Sequence, residues 1–542
     1  LVYGNYELHE VQTANGYVLD ETPVPFAIDG QEEVITVEKL NTAQKGKISV
    51  RKTGDIFARV QRTSSAYTDE DGNLIENPTT YTPVFETGNL AGAVFQVIAS
   101  EDIITADGTV RAKAGDVVAE ITTDENGYAE TDLLYLGKYE VKEITAPNGY
   151  VLNSKSQFIE LVYAGQEIEV RDTVNAAFVN DYQRVEISLE KILEQDETFG
   201  IGTNEEYKSV RFGLFAEEEI TAADGTEIPA NGLISEISLD ENMKAVFSVK
   251  LPFAKYYVRE ITADEHYILG DKKYSFDFTY QGQETEAVCI DCGEFENRLK
   301  RGTVKGLKLD ENNEPLENAV FGLFKPDCTE FTEENALMTA KSDDKGCFSF
   351  ADIPFGEFAV REIKAPTGYI LSDKVYQVNI TEDGQTVEIT AENKPITVEF
   401  SKRDTEGNEL KGAKLQIVDE KGNVIEEWTS DGTNHIVKKL KAGKYVLTET
   451  AAPDGYEIAT DISFEVFEDG TVKAGNTETV AVSKDGNPLI VMVDEAEEKQ
   501  ITPQTGDNRS KLPGILLTGT GLSILVILIL KSRKKNGGKD EK

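Results

Sequence analysis

Residues Val141 to Leu152 have the sequence VKEITAPNGYVL, and close versions of this segment recur along the chain. The other versions begin at Leu8, Val258, Val360 and Leu447. Similar segments at several places in one chain indicate tandem repeats of one structural unit. In every version a glutamate stands two residues after an apolar residue: Glu10, Glu143, Glu260, Glu362 and Glu449. A carboxylate kept at one place in an apolar strand pattern needs a physical explanation.

The composition excludes some classes of partner. At 542 residues the chain is too long for a single hydrophobic core. It has 98 acidic and 55 basic residues, which give a formal net charge of −43. Such a charge repels nucleic acid and anionic membranes, so we expect no nucleic-acid partner. The charge is typical of long, exposed modules that must stay soluble.

Strand signals dominate the chain. Alternating runs such as GKYEVKEI are separated by Asp-Gly and Asn-Gly turns, as at Asp107–Gly108 and Asn148–Gly149. We find no long helical periodicity outside one apolar segment near the C-terminus. Many short strands with frequent turns predict an all-β protein of tandem, immunoglobulin-like β-sandwich domains.

Repeated landmarks divide the chain into domains. Each complete repeat begins with a strand that ends in lysine, continues to the glutamate strand and closes on asparagine or aspartate. The closing residue and the next lysine are 11 residues apart at three junctions and 9 at the fourth, whereas lysine-to-glutamate spacing falls from 91 to 47. The predicted divisions are 1–43 (the end of a truncated repeat), 44–183, 184–300, 301–396 and 397–497 (complete repeats), and 498–542 (a C-terminal signal). Because the chain opens inside a repeat, we expect it to be a fragment of a longer protein.

Three polar residues of each repeat are in phase with its apolar core positions. Side chains of a strand alternate between its two faces, so Tyr139, Val141 and Glu143 share one face, as do Ile48, Val50 and Lys52. Glycine at 306 weakens this pattern in the third repeat. The opening lysines and closing residues that follow the rule are Lys52, Lys191, Lys308 and Lys402, with Asn180, Asn297, Asn393 and Asp494.

An amine, a carboxyl and an amide aimed at one core favour a covalent reaction. Buried and unpaired, such groups would cost several kcal/mol each. One alternative is a buried ion pair with a hydrogen-bonded asparagine. The other is chemical: desolvation lowers a lysine pKa and raises a glutamate pKa, so a neutral amine can attack the amide carbonyl while the glutamate moves protons. The product would be a Lys–Asn isopeptide bond with loss of ammonia, or a Lys–Asp bond with loss of water.

The C-terminus carries the pattern of an anchoring signal. Residues 512–530 are uncharged and would span roughly 28 Å as a helix, close to the ~30 Å membrane core. Basic residues follow at once, the mark of a cytoplasmic end, so we expect the preceding residues outside the cell. A buried core helix is the alternative for this segment.

The motif TPQTG just before the span resembles the Leu-Pro-any-Thr-Gly sorting signal of Gram-positive surface proteins, with threonine in the leucine place. Its residues are Thr502, Pro503, Gln504, Thr505 and Gly506. The resemblance implies that a sortase cuts between Thr505 and Gly506 and transfers the threonine carbonyl to the peptidoglycan cross-bridge. An ordinary membrane-anchored stalk with a Pro-Gln-Thr-Gly turn is the alternative.

The lysine opening, the E-x-x-A-P-x-G-Y centre and the closing Asn or Asp resemble the B-type domains of collagen adhesins and the SpaA-type domains of Gram-positive pilins. The resemblance implies prealbumin-like β-sandwiches with autocatalytic isopeptide bonds, in which the glutamates are catalytic. The second repeat departs from the pattern with ADEHY. The implied triads are Lys52/Glu143/Asn180, Lys191/Glu260/Asn297, Lys308/Glu362/Asn393 and Lys402/Glu449/Asp494.

No other motif predicts chemistry. Cys289 and Cys292 form a C-x-x-C without a second pair suited to zinc, and a Cys328–Cys347 disulfide is an open alternative to reduced thiols. The acidic TDEDGNLIE lacks the ligand order of an EF-hand and is interpreted as a polar hairpin turn. We expect no metal, no cofactor and no enzymatic turnover.

The sequence therefore predicts a wall-anchored stalk, adhesin or pilin-like protein on a Gram-positive cell surface, with sortase and peptidoglycan as partners. Two alternatives stay open. One or more repeats could bind a host or matrix protein directly, the first candidate being repeat 1 with its long insert, Thr53 to Leu90. The chain could also be the anchor of an enzyme whose catalytic domain lies upstream.

Overall fold

A computed structural model describes residues 1–30, 34–68, 74–76, 78–475 and 480–497 of the chain. Every regular element in these ranges is a β-strand except one short 3-10 helix, Glu206–Ser209, so the predicted all-β class is confirmed. No helix in the described ranges is long and apolar enough to cross a membrane. The predicted span 512–530 and the motif Thr502–Gly506 lie outside the described residues.

Within the described ranges, the leading segment and the first two repeats have 24 strands. The leading segment has β1 (Gly4–Leu8) and β2 (Val24–Ile28). Repeat 1 has β3 (Lys45–Thr63), β4 (Ala66–Thr68), β5 (Leu74–Glu76), β6 (Thr80–Asn89), β7 (Val94–Ala99), β8 (Ile103–Ile104), β9 (Val110–Ala112), β10 (Val117–Thr122), β11 (Tyr128–Glu130), β12 (Leu134–Tyr135), β13 (Gly137–Thr145), β14 (Gln157–Leu161) and β15 (Val170–Asn180). Repeat 2 has β16 (Arg184–Leu193), β17 (Arg211–Ala216), β18 (Ile220–Thr221), β19 (Glu227–Ile228), β20 (Leu233–Ser238), β21 (Lys244–Phe247), β22 (Ala254–Thr262), β23 (Lys273–Phe278) and β24 (Ala287–Asn297).

The last two repeats are shorter, and their described residues form 16 strands. Repeat 3 has β25 (Arg301–Asp310), β26 (Val320–Phe324), β27 (Met338–Lys341), β28 (Cys347–Pro354), β29 (Gly356–Lys364), β30 (Val375–Ile380) and β31 (Thr386–Asn393). Repeat 4 has β32 (Thr397–Asp404), β33 (Lys411–Asp419), β34 (Val424–Asp431), β35 (His435–Lys438), β36 (Gly443–Ala451), β37 (Ile462–Val466), β38 (Val472–Ala474), β39 (Ala481–Val482) and β40 (Pro488–Asp494). The chain divides into two compact units, of which the first holds residues 1–396 and the second most of repeat 4.

In every complete repeat the first strand pairs in parallel with the last strand, and the register is the same in all four. In repeat 1, Phe178 lies opposite Lys52 and Asn180 lies opposite Gly54. The residues opposite the other three lysines are likewise two positions before the closing residue: Phe295, Ala391 and Met492. Since side chains two residues apart share a face, the closing amide or acid lies beside the lysine on the core side.

The glutamate strand belongs to the sheet that faces this parallel pair. In repeat 1 the order β10-β7-β13-β14 forms that sheet, and Glu143 on β13 lies opposite Phe95 on β7. The two sheets enclose a core that includes Ile48, Val97 and Val141. The same glutamate strand lies in the facing sheet of the other repeats: β22, β29 and β36. The fold thus brings one carboxylate from one sheet against a lysine and an amide from the other.

Glycine at 306, which weakens the strand pattern of repeat 3, leaves room for an aromatic ring. A side chain at Gly306 would collide with the ring of Phe348 on the neighbouring strand β28. That ring stacks on Phe321 with a centroid distance of 3.9 Å. Phe348 therefore fills the core position that glycine leaves empty, and the strand keeps its register up to Lys308.

The long insert of repeat 1 packs on repeat 2. Strands β3 and β6 form its hairpin, and Leu233 on β20 pairs with Thr80 on β6, which joins the sheets of the two repeats. Val60 of the insert lies in the hydrophobic core of repeat 2, and its backbone N–H donates to Thr226 Oγ1 at 2.7 Å. At the tip, β4 pairs with β5, while residues 69–73 of the acidic segment lie outside the described residues. The β3–β6 hairpin of the insert therefore connects repeat 1 to repeat 2.

Repeat 2 also contacts repeat 3, through the loop that follows β16. Phe199, in the loop after β16, packs edge-to-face on Phe358 of repeat 3 at 5.5 Å between ring centroids. Arg301 at the start of repeat 3 donates to Glu194 Oε1 at 2.8 Å and to Asp196 Oδ2 at 3.0 Å. The segments that lengthen the lysine-to-glutamate spacing in repeats 1 and 2 are thus the segments that contact the following repeat.

Candidate functional site

Lys52, Glu143 and Asn180 of repeat 1 meet in the closed interior between the two sheets. All three side chains are buried. The Lys52 amine donates to Asn180 Oδ1 and lies 3.0 Å from Glu143 Oε1. Asn180 Nδ2 donates to the same Glu143 oxygen at 2.9 Å. The carboxyl group therefore contacts both the amine and the amide nitrogen, while the amine contacts the amide carbonyl.

Repeat 3 has the same arrangement. The Lys308 amine donates to Asn393 Oδ1 and lies 3.2 Å from Glu362 Oε1. Asn393 Nδ2 donates to Glu362 Oε1 at 3.0 Å. The ring of Phe321 lies 5.6 Å from the amine, so the surroundings of the cluster are apolar.

In repeat 2 the same three residues lie together with looser contacts. Asn297 Nδ2 donates to Glu260 Oε1 at 2.8 Å, and the Lys191 amine lies 3.5 Å from that oxygen. Among the residues that the structure describes, neither the Lys191 amine nor Asn297 Oδ1 has a hydrogen-bond partner. Gly270 lies close by, since a Cβ at this position would be 2.8 Å from Glu260 Oε2 and 2.9 Å from Asn297 Oδ1.

Repeat 4 has a second acid in place of the amide. The Lys402 amine donates to Asp494 Oδ1 and lies 3.1 Å from Glu449 Oε2. Glu449 Oε1 and Asp494 Oδ2 are buried and have no hydrogen-bond partner in the described part of the chain. Burial raises the pKa of Asp494, and the neighbouring Glu449 carboxylate adds to that rise. A shift toward the neutral acid suits a reaction that releases water.

Burial shifts the pKa values of several groups in these clusters in the direction that produces neutral groups. Desolvation lowers the pKa of Lys52 and Lys308, and it lowers the pKa of Lys191 to about 8, against the opposing effect of the nearby glutamate in each case. Desolvation also raises the pKa of Glu260 and Glu362. A neutral lysine is a nucleophile, and a protonated glutamate can donate a proton.

A backbone N–H group also holds each glutamate, which sequence reasoning missed. In repeats 1 to 3 it donates to the carboxyl oxygen that the lysine does not contact, and in repeat 4 it donates to the same oxygen as the lysine. The donor is always the residue ten positions after the glutamate: Asn153 at 2.9 Å, Gly270 at 2.8 Å, Ser372 at 3.0 Å and Ala459 at 2.7 Å. Because a backbone donor imposes no residue type, only the constant spacing after the Gly-Tyr turn could have indicated it.

The tyrosine of that Gly-Tyr turn is a second positioning residue without a predicted role. Tyr150 pairs with Tyr182, two residues after Asn180, and its hydroxyl donates to the Asp55 carbonyl at 2.9 Å. Tyr267 donates in the same way to the Glu194 carbonyl at 2.9 Å. The turn therefore connects the glutamate strand to the ends of both strands that carry the lysine and the asparagine.

All four cysteines are free, so the structure does not contain the Cys328–Cys347 disulfide that the sequence left open. Cys328 lies in the loop after β26, where its thiol contacts the Glu330 carbonyl, and Cys347 opens β28. Burial raises the pKa of the Cys292 thiol to about 12, so it is a poor nucleophile. The described residues contain no cluster of three or more potential metal ligands.

Comparison with known proteins agrees with this architecture. A family model described as SpaA, a prealbumin-like fold domain, matches residues 1–43, 83–174, 302–395 and 396–479. No curated protein matches the chain. Similar solved structures include the TIE protein of Bacillus anthracis (19% identical, covering 81% of this chain and 75% of that chain, TM-score 0.38) and the major pilin subunit BcpA of Bacillus cereus (17%, 65% and 99%, 0.28). The shaft pilin SpaA of Lactobacillus rhamnosus GG is another (14%, 37% and 100%, 0.20).

Each complete repeat has two facing sheets, and its first and last strands are parallel neighbours. This architecture defines the class of tandem prealbumin-like β-sandwich proteins. The family model matches more than half of the chain, and the chain belongs to the SpaA prealbumin-like domain family. Residues 175–301, which include all of repeat 2, lie outside the matched ranges. Even so, β16 and β24 pair in the register of the other repeats, which places Lys191 beside Asn297.

Proposed function

We propose that the chain is a stalk or shaft segment of a Gram-positive surface protein, with each complete repeat closed by a covalent Lys–Asn or Lys–Asp bond. The observation that carries the proposal is a buried lysine beside a glutamate and a closing amide or acid, at one strand register in four repeats. A buried ion pair alone adds little stability, since well-packed apolar residues often serve as well or better. Recurrence of this costly arrangement at one register favours a chemical role.

The proposed reaction needs no group beyond the three side chains. In repeat 1 the neutral Lys52 amine attacks Asn180 Cγ, and a bond forms between Lys52 Nζ and that carbon. Glu143 contacts both nitrogens, so it can take a proton from the amine and return it to Asn180 Nδ2. The bond from Cγ to Nδ2 then breaks, and ammonia leaves. The buried cluster holds the reactants in contact, which supplies the high effective concentration that amide formation requires.

In repeat 4 the same steps join Lys402 to Asp494 with loss of water. Burial raises the pKa of Asp494, which favours the protonated carboxyl group from which an oxygen can leave as water. Glu449, 3.1 Å from the amine, has the position that Glu143 has in repeat 1.

A bond between the first and last strands suits a segment that transmits tension. A pull that enters a repeat at one end and leaves at the other would pass through the bond and bypass most of the sandwich. The braces from repeat 1 to repeat 2 and from repeat 2 to repeat 3 would limit bending at the junctions. By resemblance of the TPQTG motif, sortase would join Thr505 to the peptidoglycan cross-bridge after cleavage before Gly506.

The intact mass of the purified full chain tests the proposal. Four complete bonds would lower the mass by three molecules of ammonia and one of water, about 69 Da in total. Glu143→Gln should restore one ammonia and Glu449→Gln should restore the water, because each variant lacks the proton-transfer group of one repeat. The matched control Glu140→Gln, a neighbour of Glu143 outside the cluster, should leave the deficit unchanged. A full-length mass equal to that of the sequence would favour the buried ion-pair alternative.

A further inference from the structure

The turn that binds the backbone of the reacting lysine is built alike in repeats 1, 2 and 3. It begins with an aspartate whose Oδ1 accepts the backbone N–H groups two and four residues later, at 2.7 to 3.0 Å: Asp124, Asp240 and Asp343. The residue three positions after the aspartate has a positive φ, and its carbonyl accepts the lysine N–H: Gly127 at 2.7 Å, Met243 at 2.8 Å and Gly346 at 2.7 Å. The turn therefore holds the backbone from which each amine projects.

Met243 differs from its two counterparts because it has a Cβ in a left-handed backbone conformation. Its φ is 59°, a value at which a bulky side chain crowds the backbone, whereas glycine has no such cost. A Cβ at Gly127 would lie 2.3 Å from the Lys52 carbonyl oxygen, and one at Gly346 would lie 2.3 Å from the Lys308 carbonyl oxygen. The Lys191 carbonyl therefore cannot take the position relative to its turn that the other two lysine carbonyls have.

The lysine carbonyl of repeat 2 also lacks a contact that the other three repeats share. In those repeats the carbonyl accepts a leucine N–H at 2.8 to 3.0 Å, from Leu90, Leu316 and Leu410. Among the described residues no leucine N–H donates to the Lys191 carbonyl. A Cβ at Gly127 would lie 3.1 Å from the Leu90 nitrogen as well, so a side chain in this place crowds both partners of that hydrogen bond.

The Met243 side chain is held in its position by apolar contacts. It packs against a buried cluster of the same repeat, formed by Leu193, Ile201, Tyr267 and Leu299. These contacts offset the cost of the left-handed conformation and keep the Cβ beside the lysine strand. The lysine strand is therefore the part that yields.

The reacting groups of repeat 2 show the result. The Lys191 amine lies 3.5 Å from the glutamate oxygen, whereas the corresponding distance is 3.0 Å in repeat 1 and 3.2 Å in repeat 3. Of the four clusters in the described residues, only this one has an amine that does not donate to its closing residue.

We propose that Met243 is a positioning residue that slows bond formation in repeat 2, so that this repeat closes after repeats 1 and 3. Its Cβ holds Lys191 Nζ away from Asn297 Cγ, and a misplacement of roughly half an ångström lowers the rate about tenfold. This inference rests on the proposed function and keeps its reaction. Lys191 Nζ bonds to Asn297 Cγ, the bond from Cγ to Nδ2 breaks, and ammonia leaves after proton transfer through Glu260.

The rate of each bond in the newly made full chain tests the proposal. The chain is made in a short cell-free synthesis, which is then stopped, and samples are quenched in acid at successive times. Digestion and mass spectrometry give the linked fraction of each repeat from its cross-linked and free lysine peptides. Repeat 2 should link about tenfold more slowly than repeats 1 and 3, and Met243→Gly should remove this difference. Repeats 1 and 3 of the same molecule are internal references and should keep their rates.

Met243→Ala and Met243→Asn separate the Cβ from the other properties of the methionine. Alanine removes the apolar contacts of the side chain, and asparagine tolerates a left-handed backbone. Both residues keep the Cβ, so repeat 2 should stay slow in both variants. A gain in rate with asparagine or alanine equal to the gain with glycine would overturn the proposal, because backbone strain or side-chain packing would then control the reaction.

The same time courses separate this inference from the proposed function. If repeats 1 and 3 link while repeat 2 links equally fast, or while Met243→Gly leaves repeat 2 slow, the role of Met243 is refuted and the proposed function stands. If no repeat links, the proposed function is refuted and the role of Met243 with it.

Discussion

The Lys52 amine donates a hydrogen bond to the Asn180 carbonyl although the two residues are 128 positions apart in the chain. They meet because the strands that open and close repeat 1 are parallel neighbours. Strand direction matters here, since it places both residues at the same end of the repeat. The same pairing in repeats 2, 3 and 4 makes the cluster a property of the fold.

If the proposed Lys402–Asp494 bond forms, its loss should destabilise repeat 4 alone. A covalent closure of about 90 residues stabilises by roughly 4–5 kcal/mol in the loop-entropy estimate. Trp428, the single tryptophan, packs 5.6 Å from Phe400 on the lysine strand of repeat 4, so its fluorescence reports the unfolding of this repeat. Glu449→Gln should therefore lower the denaturant midpoint of the tryptophan transition. Glu362→Gln, the corresponding change in repeat 3, should leave that transition in place.

A methyl group at Gly270 should block the reaction in repeat 2. The added Cβ would lie 2.8 Å from Glu260 Oε2 and 2.9 Å from Asn297 Oδ1, so one of these groups must move. We expect Gly270→Ala to reduce the mass deficit of the chain by one ammonia. Ser372→Ala is the matched control, because it keeps the backbone donor and Ala459 already stands at this position in repeat 4. An unchanged deficit in Gly270→Ala would show that the close approach is unimportant.

An unlinked repeat 2 should become more stable between pH 8 and pH 10.5. Asn297→Ala removes the reacting carbonyl, so Lys191 stays a free amine with a folded-state pKa of about 8, against 10.5 for an ordinary lysine. Below pH 8 the Lys191 amine is protonated in both the folded and the unfolded state, so folding has to bury a charge. Above pH 10.5 the amine is neutral in both states, and the free-energy cost of burying that charge is absent. The gain should be about 3 kcal/mol, at 1.36 kcal/mol for each pKa unit.

Pulse proteolysis in urea, with cleavage of repeat 2 followed by mass spectrometry, measures this gain. The double variant Asn297→Ala/Lys191→Met is the control, because it has no amine in the core and its stability should lack this rise. A single variant whose stability has the same pH dependence as the double variant would contradict the lowered lysine pKa.

Contact with repeat 2 should protect the backbone amides of the repeat 1 insert hairpin from hydrogen exchange. Val60 is buried in the repeat 2 core, so an aspartate there would place a charge in apolar surroundings. Val60→Asp should raise hydrogen exchange in residues 56–63 and 222–228 at least tenfold, as seen by mass spectrometry. Val246→Asp, at a half-exposed position of repeat 2, should not change it. Equal protection in both variants would mean that the hairpin is not held by this contact.

Strand parity was enough to predict which polar residues point into the core. Lys52, Glu143 and Asn180 each stand two residues after an apolar side chain, and alternation along a strand then fixes their face. Parity could not identify the contacts between strands. The parallel register pairs Lys52 with Phe178, which is distant in sequence. The donor to Glu143 is the backbone N–H of Asn153, a group that does not depend on the residue type.

The sequence was less informative about the inserts. The length of the repeat 1 insert left a ligand-binding surface open as an alternative, and in the structure Val60 of this insert packs on repeat 2, as Phe199 of repeat 2 packs on repeat 3. An apolar residue in an insert has the same sequence pattern whether it meets a ligand or a neighbouring domain, so only the folded chain distinguishes the two. The glycine at 306 was ambiguous for the same reason, because Phe348, which fills its place, comes from another strand.

The all-β class, the repeats and the inward direction of the lysine, glutamate and closing residue of each cluster were predictable from the amino-acid sequence, because these features depend on periodicities within one strand. The folded structure was needed to show which of those residues are in contact, which backbone donors hold the glutamates and which insert packs on which repeat. Such contacts depend on strand direction, register and sheet packing, and these result from the free energy of the whole folded chain.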